Sequence, residues 1–422
     1  MTSAVHPSVG LRRTKLANGL TVLSEFVPGV RSVAFGAFVQ AASIHEPRER
    51  MGVSHLLEHM VFKGSERRSA KELSLAIESL GGSLDAYTTR EYTSYQARIL
   101  DEDLDVAADV VGDLVLRPLL RADDLRPERN VILEEISMVE DTPDDLVFEL
   151  HNELLWGDHP YGYSILGTRD TLKQLGVKEL RDLHARAYHP GRTIVAASGS
   201  VEHDRLVEAL QRAGWGEVPA GDATPLATRL PVAAPAAYRH VDQQIAQTHI
   251  VFDTATVPHG DPRRYPLALV STLLGGGMSS RLFQRVREEL GLAYSVHTFQ
   301  SFHLDTGVHG VYVATAPETA REAASAIQEE LDRMARDGIS DAEIDAGKRM
   351  LKGQITLSLE GVTSRMYRAA GVELYDEPYR ELDEVLAEVD AIDAESVRNV
   401  CRDFLAPEAQ SVLSLGPKPA LY

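Results

Sequence analysis

The chain has 422 residues, 44% of them hydrophobic and 25% charged, which is enough to bury two or more ordinary cores. Its formal net charge of −20 argues against nucleic acid or an anionic membrane as the main partner. No apolar run approaches the ~20 residues of a membrane span, and Cys401, the only cysteine, leaves no disulfide to form within the chain, which suits a reducing compartment.

Met1 to Gly10 lacks the apolar stretch of a secretory signal, and strand-like sequence follows so soon that a long presequence has no room. A cytoplasmic, bacterial-type location is expected; a mitochondrial matrix location is the less favoured alternative, with Arg12, Arg13 and Lys15 as the vestige of a targeting segment. Gly19 to Phe26 and Val33 to Val39 read as strands, and Ile44 to Arg50 leads into a helix that carries His55-Leu56-Leu57-Glu58-His59.

This pattern places two imidazoles four residues apart with a carboxylate between them, the inverted order of the metallopeptidase signature. At ~100° per residue, His55, Glu58 and His59 project from one face, while Val53, Leu56, Leu57, Met60 and Val61 form an apolar stripe opposite. A catalytic zinc keeps one position for water, so two histidines require one more protein ligand.

Ser69 to Leu80 reads as helix and Tyr92 to Leu100 as strand. The third ligand is sought in the next helix, Pro127 to Glu140, with Asp123 or Asp124 as its cap, Pro127 in its first turn and Asp141-Thr142-Pro143 as its stop. Its apolar stripe is Val131, Ile132, Ile136 and Val139, and Glu128 and Glu135 fall inside it, whereas Glu134 points ~100° away towards the polar side. A carboxylate in a buried stripe is costly unless paired or metal-bound. Glu135 is therefore the expected third ligand, and Glu128 a nearby carboxylate that orients a ligand or sets the site's electrostatics.

Further on, Asp170 to Ala187 reads as helix and Thr193 to Ser198 as strand, before a Pro-, Gly- and Ala-rich stretch from Trp215 past Pro235. The pattern then repeats. His249 to Asp253, Gly310 to Ala314 and Gln410 to Leu415 read as strands, Glu318 to Asp337 as helix, and Val257 to Arg264 leads into a helix as Ile44 to Arg50 does. Matching Pro47 to Pro262 places Val270, Leu273 and Leu274 where the first half has His55, Glu58 and His59; matching Leu125 to Ile344 places Gly347 and Gln354 at Glu128 and Glu135. One zinc per chain follows. The fold class is α+β, with two homologous domains, each a mixed, largely antiparallel sheet covered by helices. The expected divisions are a zinc-binding domain over 1–217, a linker over 218–236 and a metal-free domain over 237–422.

The stretch His55-Leu-Leu-Glu-His59-Met-Val-Phe-Lys-Gly64, followed 135 − 59 = 76 positions later by the glutamate of Val-Ile-Leu-Glu-Glu135, resembles the pitrilysin family of inverted-motif zinc peptidases. Within it, the chain is similar to the short subfamily that contains mitochondrial processing peptidase and its bacterial relatives. Gly81-Gly82, Tyr92 to Tyr95, His159 to Gly162, Leu166 to Thr168, Tyr188-His-Pro190, Leu274 to Gly277 and Arg287 to Tyr294 extend the likeness over nearly the whole chain.

The resemblance implies two domains facing another pair across a cavity, as a clamshell. It also implies a glycine-rich loop near Gly275-Gly276-Gly277 that helps select substrate, and an Arg and a Tyr of the metal-free domain that hold substrate and the developing oxyanion. Arg287 and Tyr294 correspond to that pair, with Arg281 and Arg285 leaving the choice of arginine open. Ser83 to Thr89 is similar to the edge on which an extended peptide adds as a strand, although Asp85 stands where relatives often have Asn. The expected activity is zinc-dependent endopeptidase on short or unfolded peptides, by a homodimer, with Glu58 as general base. The alternatives are a processing peptidase dedicated to one precursor or presequence and, less favoured because all four zinc-site residues are present, a non-catalytic scaffold subunit. The acidic charge serves either solubility or a preference for peptides carrying Arg or Lys.

Overall fold

The computed structural model describes residues 10–222, 224, 226, 228 and 230–421. The first nine residues, on which most of the N-terminal targeting expectation rests, and part of the stretch 218–236 lie outside the described residues.

Two compact units form. Met1–Ile136, Ser164–Thr228 and Ser358–Tyr379 make the first; Ser137–Tyr163, Arg229–Leu357 and Arg380–Tyr422 make the second. The first unit is built on β1 (Leu11–Lys15), β2 (Thr21–Phe26), β3 (Ser32–Val39), β4 (Ser83–Thr88), β5 (Thr93–Leu100) and β6 (Thr193–Gly199), in the order β1-β2-β6-β3-β5-β4. β2 and β6 are parallel and the other neighbours antiparallel.

β3 is apolar at nearly every position because both faces of the sheet are covered. Val33, Phe35, Ala37 and Val39 join the core under the helices α1 (Val53–Val61), α2 (Ala70–Glu78), α3 (Leu104–Leu116) and α4 (Ala122–Asp141). Ala34 and Phe38 face the other way, against Val362, Met366 and Ala369 of the helix Val362–Leu374.

The second unit holds β7 (Tyr238–Asp242), β8 (Thr248–Thr256), β9 (Ala293–Phe302), β10 (Gly307–Thr315) and β11 (Ser411–Gly416), in the order β7-β11-β8-β10-β9. Its one parallel pair among the described residues is β7 with β11. Strand for strand this repeats β2-β6-β3-β5-β4, so the duplication read from the sequence is a duplication of topology. Ile250, Phe252, Val311 and Val313 face the helices Arg264–Gly275, Ala320–Asp337 and Ala394–Phe404, and Val251, Tyr312 and Leu413 face Val147 of the helix Pro143–Trp156.

The units differ from the contiguous blocks 1–217 and 237–422 by an exchange. In each half of the sequence one helix follows the long helix, Pro143–Trp156 after α4 and Val362–Leu374 after Asp341–Ser358, and each belongs to the unit built on the other half's strands. Helical periodicity identifies an apolar face but not the sheet that face will cover. A buried polar contact secures each exchanged helix within its unit: His151 Nδ1 lies 2.5 Å from Asp253 Oδ2, both side chains buried, and Arg365 pairs with the buried Glu25.

Two sequence expectations change locally. α4 begins at Ala122 and carries Pro127 inside it, so Asp123 and Asp124 lie in the first turn instead of capping it, and Val131 is exposed while Ile132 and Ile136 are buried. Asp170 to Ala187 is two helices, Arg169–Gln174 and Val177–Ala187, because Gly176 donates its N–H to Glu179 Oε2 at 3.0 Å and starts a new helix there.

Candidate metal centre

α1 is short, and its apolar side is buried as the pattern predicts: Leu56, Leu57, Met60 and Val61 are fully enclosed. Gly52, just before it, adopts φ +89°, and a Cβ there would stand 2.7 Å from Leu166 O and from Gly167 Cα, so only glycine fits. The opposite side of α1 carries His55, Glu58 and His59.

α4 brings Glu135 to them. Its Oε2 lies 3.7 Å from His55 Nε2 and its Oε1 3.5 Å from His59 Nε2; each residue offers a ligand atom within 4.8 Å of the others. Ligands ~2.1 Å from a tetrahedral zinc ion are ~3.4 Å apart, so this donor set fits the metal. Glu134, one residue earlier, is exposed. Burial, with the neighbouring His59 adding to it, lowers the His55 pKa to about 3, so its ring is neutral and has a lone pair to offer.

Glu128 is buried beneath the ligands, with Oε2 3.4 Å from His59 Nδ1 and Oε1 2.7 Å from Lys63 Nζ. A carboxylate at Nδ1 keeps the proton on that nitrogen and leaves Nε2 free to face Glu135. Glu58 is buried as well, and Thr88 at the end of β4 donates its hydroxyl hydrogen to Glu58 Oε2 at 2.6 Å. Burial pushes the Glu58 pKa up; the Thr88 hydrogen bond and His59 hold it down, and the Glu135 charge pushes it up again. Thr88 and Lys63 were not singled out from the sequence. Lys63 lies in the turn just beyond the end of α1, where its backbone N–H bonds the Met60 carbonyl at 3.2 Å.

In the second unit, Arg287 lies in a π-helical turn, Phe283–Glu289, and donates to the carbonyl of Tyr294 at 3.2 Å. Its guanidinium is 4.5 Å from the Tyr294 ring centre and 4.6 Å from that of Phe283. Tyr294 is 80% exposed. Arg281 is held by the buried Glu330 at 3.0 Å and by Glu343 at 2.7 Å, and Arg285 pairs with Glu289. Of the three arginines, Arg287 is the one these contacts set against Tyr294. The glycine run borders a cavity of about 340 Å³ lined also by Met278, Phe283, His297 and Thr298. A Cβ on Gly275 would stand 2.6 Å from the Thr298 amide nitrogen and one on Gly276 2.7 Å from Thr272 Cα, whereas Gly277 faces open space. Close packing thus accounts for the first two glycines.

Two histidines on one helix turn and a glutamate from a second helix, in one of two duplicated α+β units, are the hallmark of the two-domain inverted-motif zinc peptidases. Residues 21–169 match the family model described as insulinase (peptidase family M16), and residues 174–351 match the one described as peptidase M16 inactive domain. The chain is 37% identical over 412 residues to an uncharacterized zinc protease of Streptomyces coelicolor, covering 96% of this chain and 90% of that one. It is 35% identical over 403 residues to one of Bacillus subtilis, covering 94% and 96%. A solved structure from Pseudomonas fluorescens, described as a peptidase M16 inactive domain, superposes with TM-score 0.90 at 21% identity over 98% of this chain and 100% of that one; a protease from Helicobacter pylori gives 0.88 at 20% identity over 97% and 100%. These two likenesses concern the fold. The chain belongs to the peptidase M16 (insulinase/pitrilysin) family, whose members among its relatives are named zinc proteases. Among the described residues no helix is long and apolar enough to cross a membrane.

Proposed function

We propose that the protein is a zinc-dependent endopeptidase, one metal ion per chain, that cleaves short or unfolded peptides inside a chamber closed by a homodimer in the cytoplasm. The observation that carries this reading is the Glu135 carboxylate, with one oxygen towards each histidine Nε2, on a site whose helix also supplies Glu58. A zinc ion bound there would supply Lewis acidity, acidifying a water and polarising the peptide carbonyl.

Glu58 takes the proton of the attacking water and passes it to the departing amine. Thr88 occupies Oε2 and leaves Oε1 for that proton. Burial moves the carboxyl pKa towards the working range of a base that must both accept and return a proton. An extended peptide adds along β4, the outermost strand of its sheet, whose last residue is the Thr88 that touches Glu58. Arg287 and Tyr294 bind the substrate backbone and the developing oxyanion.

Backbone pairing at a strand edge favours unfolded chains over folded domains. The test is mass spectrometry of the products that the zinc-loaded protein makes from a mixed peptide pool and from a compact folded domain, with light scattering and activity followed across a dilution series. Cleavage of many peptides, none of the folded domain, and activity that falls as the dimer dissociates are expected. A fully active monomer, or efficient cutting within the folded domain, sinks the chamber. Cleavage of a single precursor would make it a dedicated processing enzyme.

A further inference from the structure

α1, the helix that presents both histidine ligands, has nine residues, below the ~12 to 15 at which a helix holds together in isolation. Packing of its apolar side holds it against the core, and its ends set where it starts and stops. At the C-terminal end Lys63 reaches Glu128. At the N-terminal end the usual solution, a Ser, Thr, Asp or Asn whose side chain caps the first amides, is closed off: the N-cap is Gly52, at a positive φ, with Leu166 and Gly167 where a side chain would go.

The acceptor comes from six residues upstream. Glu46 is buried, 5% exposed, and both of its oxygens are used: Oε2 accepts the Gly52 N–H at 2.7 Å and Oε1 the Ser54 N–H at 2.8 Å. Ser54 directly precedes His55. A carboxylate there also meets the positive end of the helix dipole. The metal-free unit lacks this arrangement. Counting from the matched prolines, Asp261 stands where Glu46 does, but its Oδ1 accepts from Arg263 N only two residues on, at 2.8 Å, in a local turn.

We infer that Glu46 is a positioning residue of the metal centre: its two-pronged hold on Gly52 and Ser54 sets where α1 begins, and through it where His55 and His59 present their ring nitrogens. This rests on the zinc reading above. Glu46 touches neither ligand nor substrate; it acts through the backbone of the residue before His55.

The test uses the full-length protein with Glu46→Gln, Glu46→Asp and the counterpart Asp261→Ala, and measures zinc affinity by competition with a chelator, amide hydrogen exchange over Val53–Val61 in the metal-free protein, and kcat and KM separately. Glu46→Gln keeps one acceptor and turns an NH2 towards a backbone N–H. Its zinc affinity is expected to fall about tenfold or more, the scale of losing a group that orients a ligand, with faster exchange in α1 and a lower kcat at nearly unchanged KM. Glu46→Asp should fall between wild type and Glu46→Gln, and Asp261→Ala should bind zinc within about twofold of wild type, as distant independent sites do. Should Glu46→Gln fail to fold, Glu46→Asp decides by the same measurements. Wild-type zinc affinity and exchange in a folded Glu46 variant, or equal zinc loss in Asp261→Ala, overturns the inference alone. A wild-type protein that binds no zinc overturns the metal reading itself, and this inference with it.

Discussion

α1 and the helix Arg264–Gly275 occupy the same step of a duplicated topology, one between β3 and β4, the other between β8 and β9. In the first unit Glu128 approaches His59, and a polar site opens beside the core. In the second, the position matched to Glu128 is Gly347, where a Cβ would stand 3.0 Å from the side chain of Leu273, and Val270 and Leu274 are fully buried. The same pair of helices meets in both units. What differs is whether the meeting place is filled with leucine or kept for ligands. Fold therefore accounts for the convergence of the two helices, and a handful of side chains accounts for the chemistry.

The sharpest way to break that contrast is to remove the chemistry and leave the ligands. Glu58→Gln is expected to lower peptide hydrolysis about a thousandfold or more, the upper range for a lost general base, with zinc content by metal analysis still near one per chain. Activity surviving in a zinc-loaded Glu58→Gln protein would mean that another group takes the proton.

Next comes the ligand helix. Glu135→Gln should weaken zinc binding by more than about a hundredfold, beyond what losing a group that merely orients a ligand costs, while Glu134→Gln, exposed on the same helix, leaves it within about twofold. Metal retained after dialysis measures both. Equal losses would show that helix phase does not select the ligand.

The matched positions His59 and Leu274 should behave in opposite ways. Leu274→Ala removes a fully buried side chain and is expected to cost about 2 to 5 kcal/mol of stability while keeping zinc. His59→Ala should abolish zinc binding yet leave the metal-free protein within about 1 kcal/mol of wild type, because its side chain is already partly exposed. Denaturant titration of the metal-free proteins distinguishes them. A His59→Ala protein as unstable as Leu274→Ala would mean that the histidine is part of the core.

The candidate metal-binding group was legible because its spacing carries its geometry: two histidines at i and i+4 share a helix face, and a glutamate in the stripe of a second helix has few reasons to be there. The duplication was legible for a related reason, since Pro47 and Pro262 stand at matched positions in the segments that lead into α1 and into the helix Arg264–Gly275. What escaped the sequence depends on contacts between distant segments. Thr88 meets Glu58 only because β4 runs beside α1, and nothing local to Ser83–Thr88 reveals that neighbour. The exchange of Pro143–Trp156 and Val362–Leu374 is of the same kind, since an amphipathic pattern does not name its partner. Val131 was misjudged because α4 turns its apolar face through Ile132 and Ile136, and one position to the side is solvent.

Thr88 offers the smallest and most specific test. Its hydroxyl donates to Glu58 Oε2, a bond that favours the ionised carboxylate and opposes the upward push of burial. Thr88→Val keeps the shape and removes the donor, so the Glu58 pKa rises. A general base works only when unprotonated; activity is lost as pH falls through its pKa, and a raised pKa moves that loss to higher pH. The acid limb of kcat/KM should therefore shift upward in Thr88→Val, while the plateau at higher pH falls by about tenfold or less, as expected for a hydrogen bond to a charged group worth roughly 1.5 kcal/mol. Zinc content should not change, which separates this variant from the ligand variants. An acid limb that stays in place, or moves to lower pH, would mean that Thr88 does not govern the proton on Glu58.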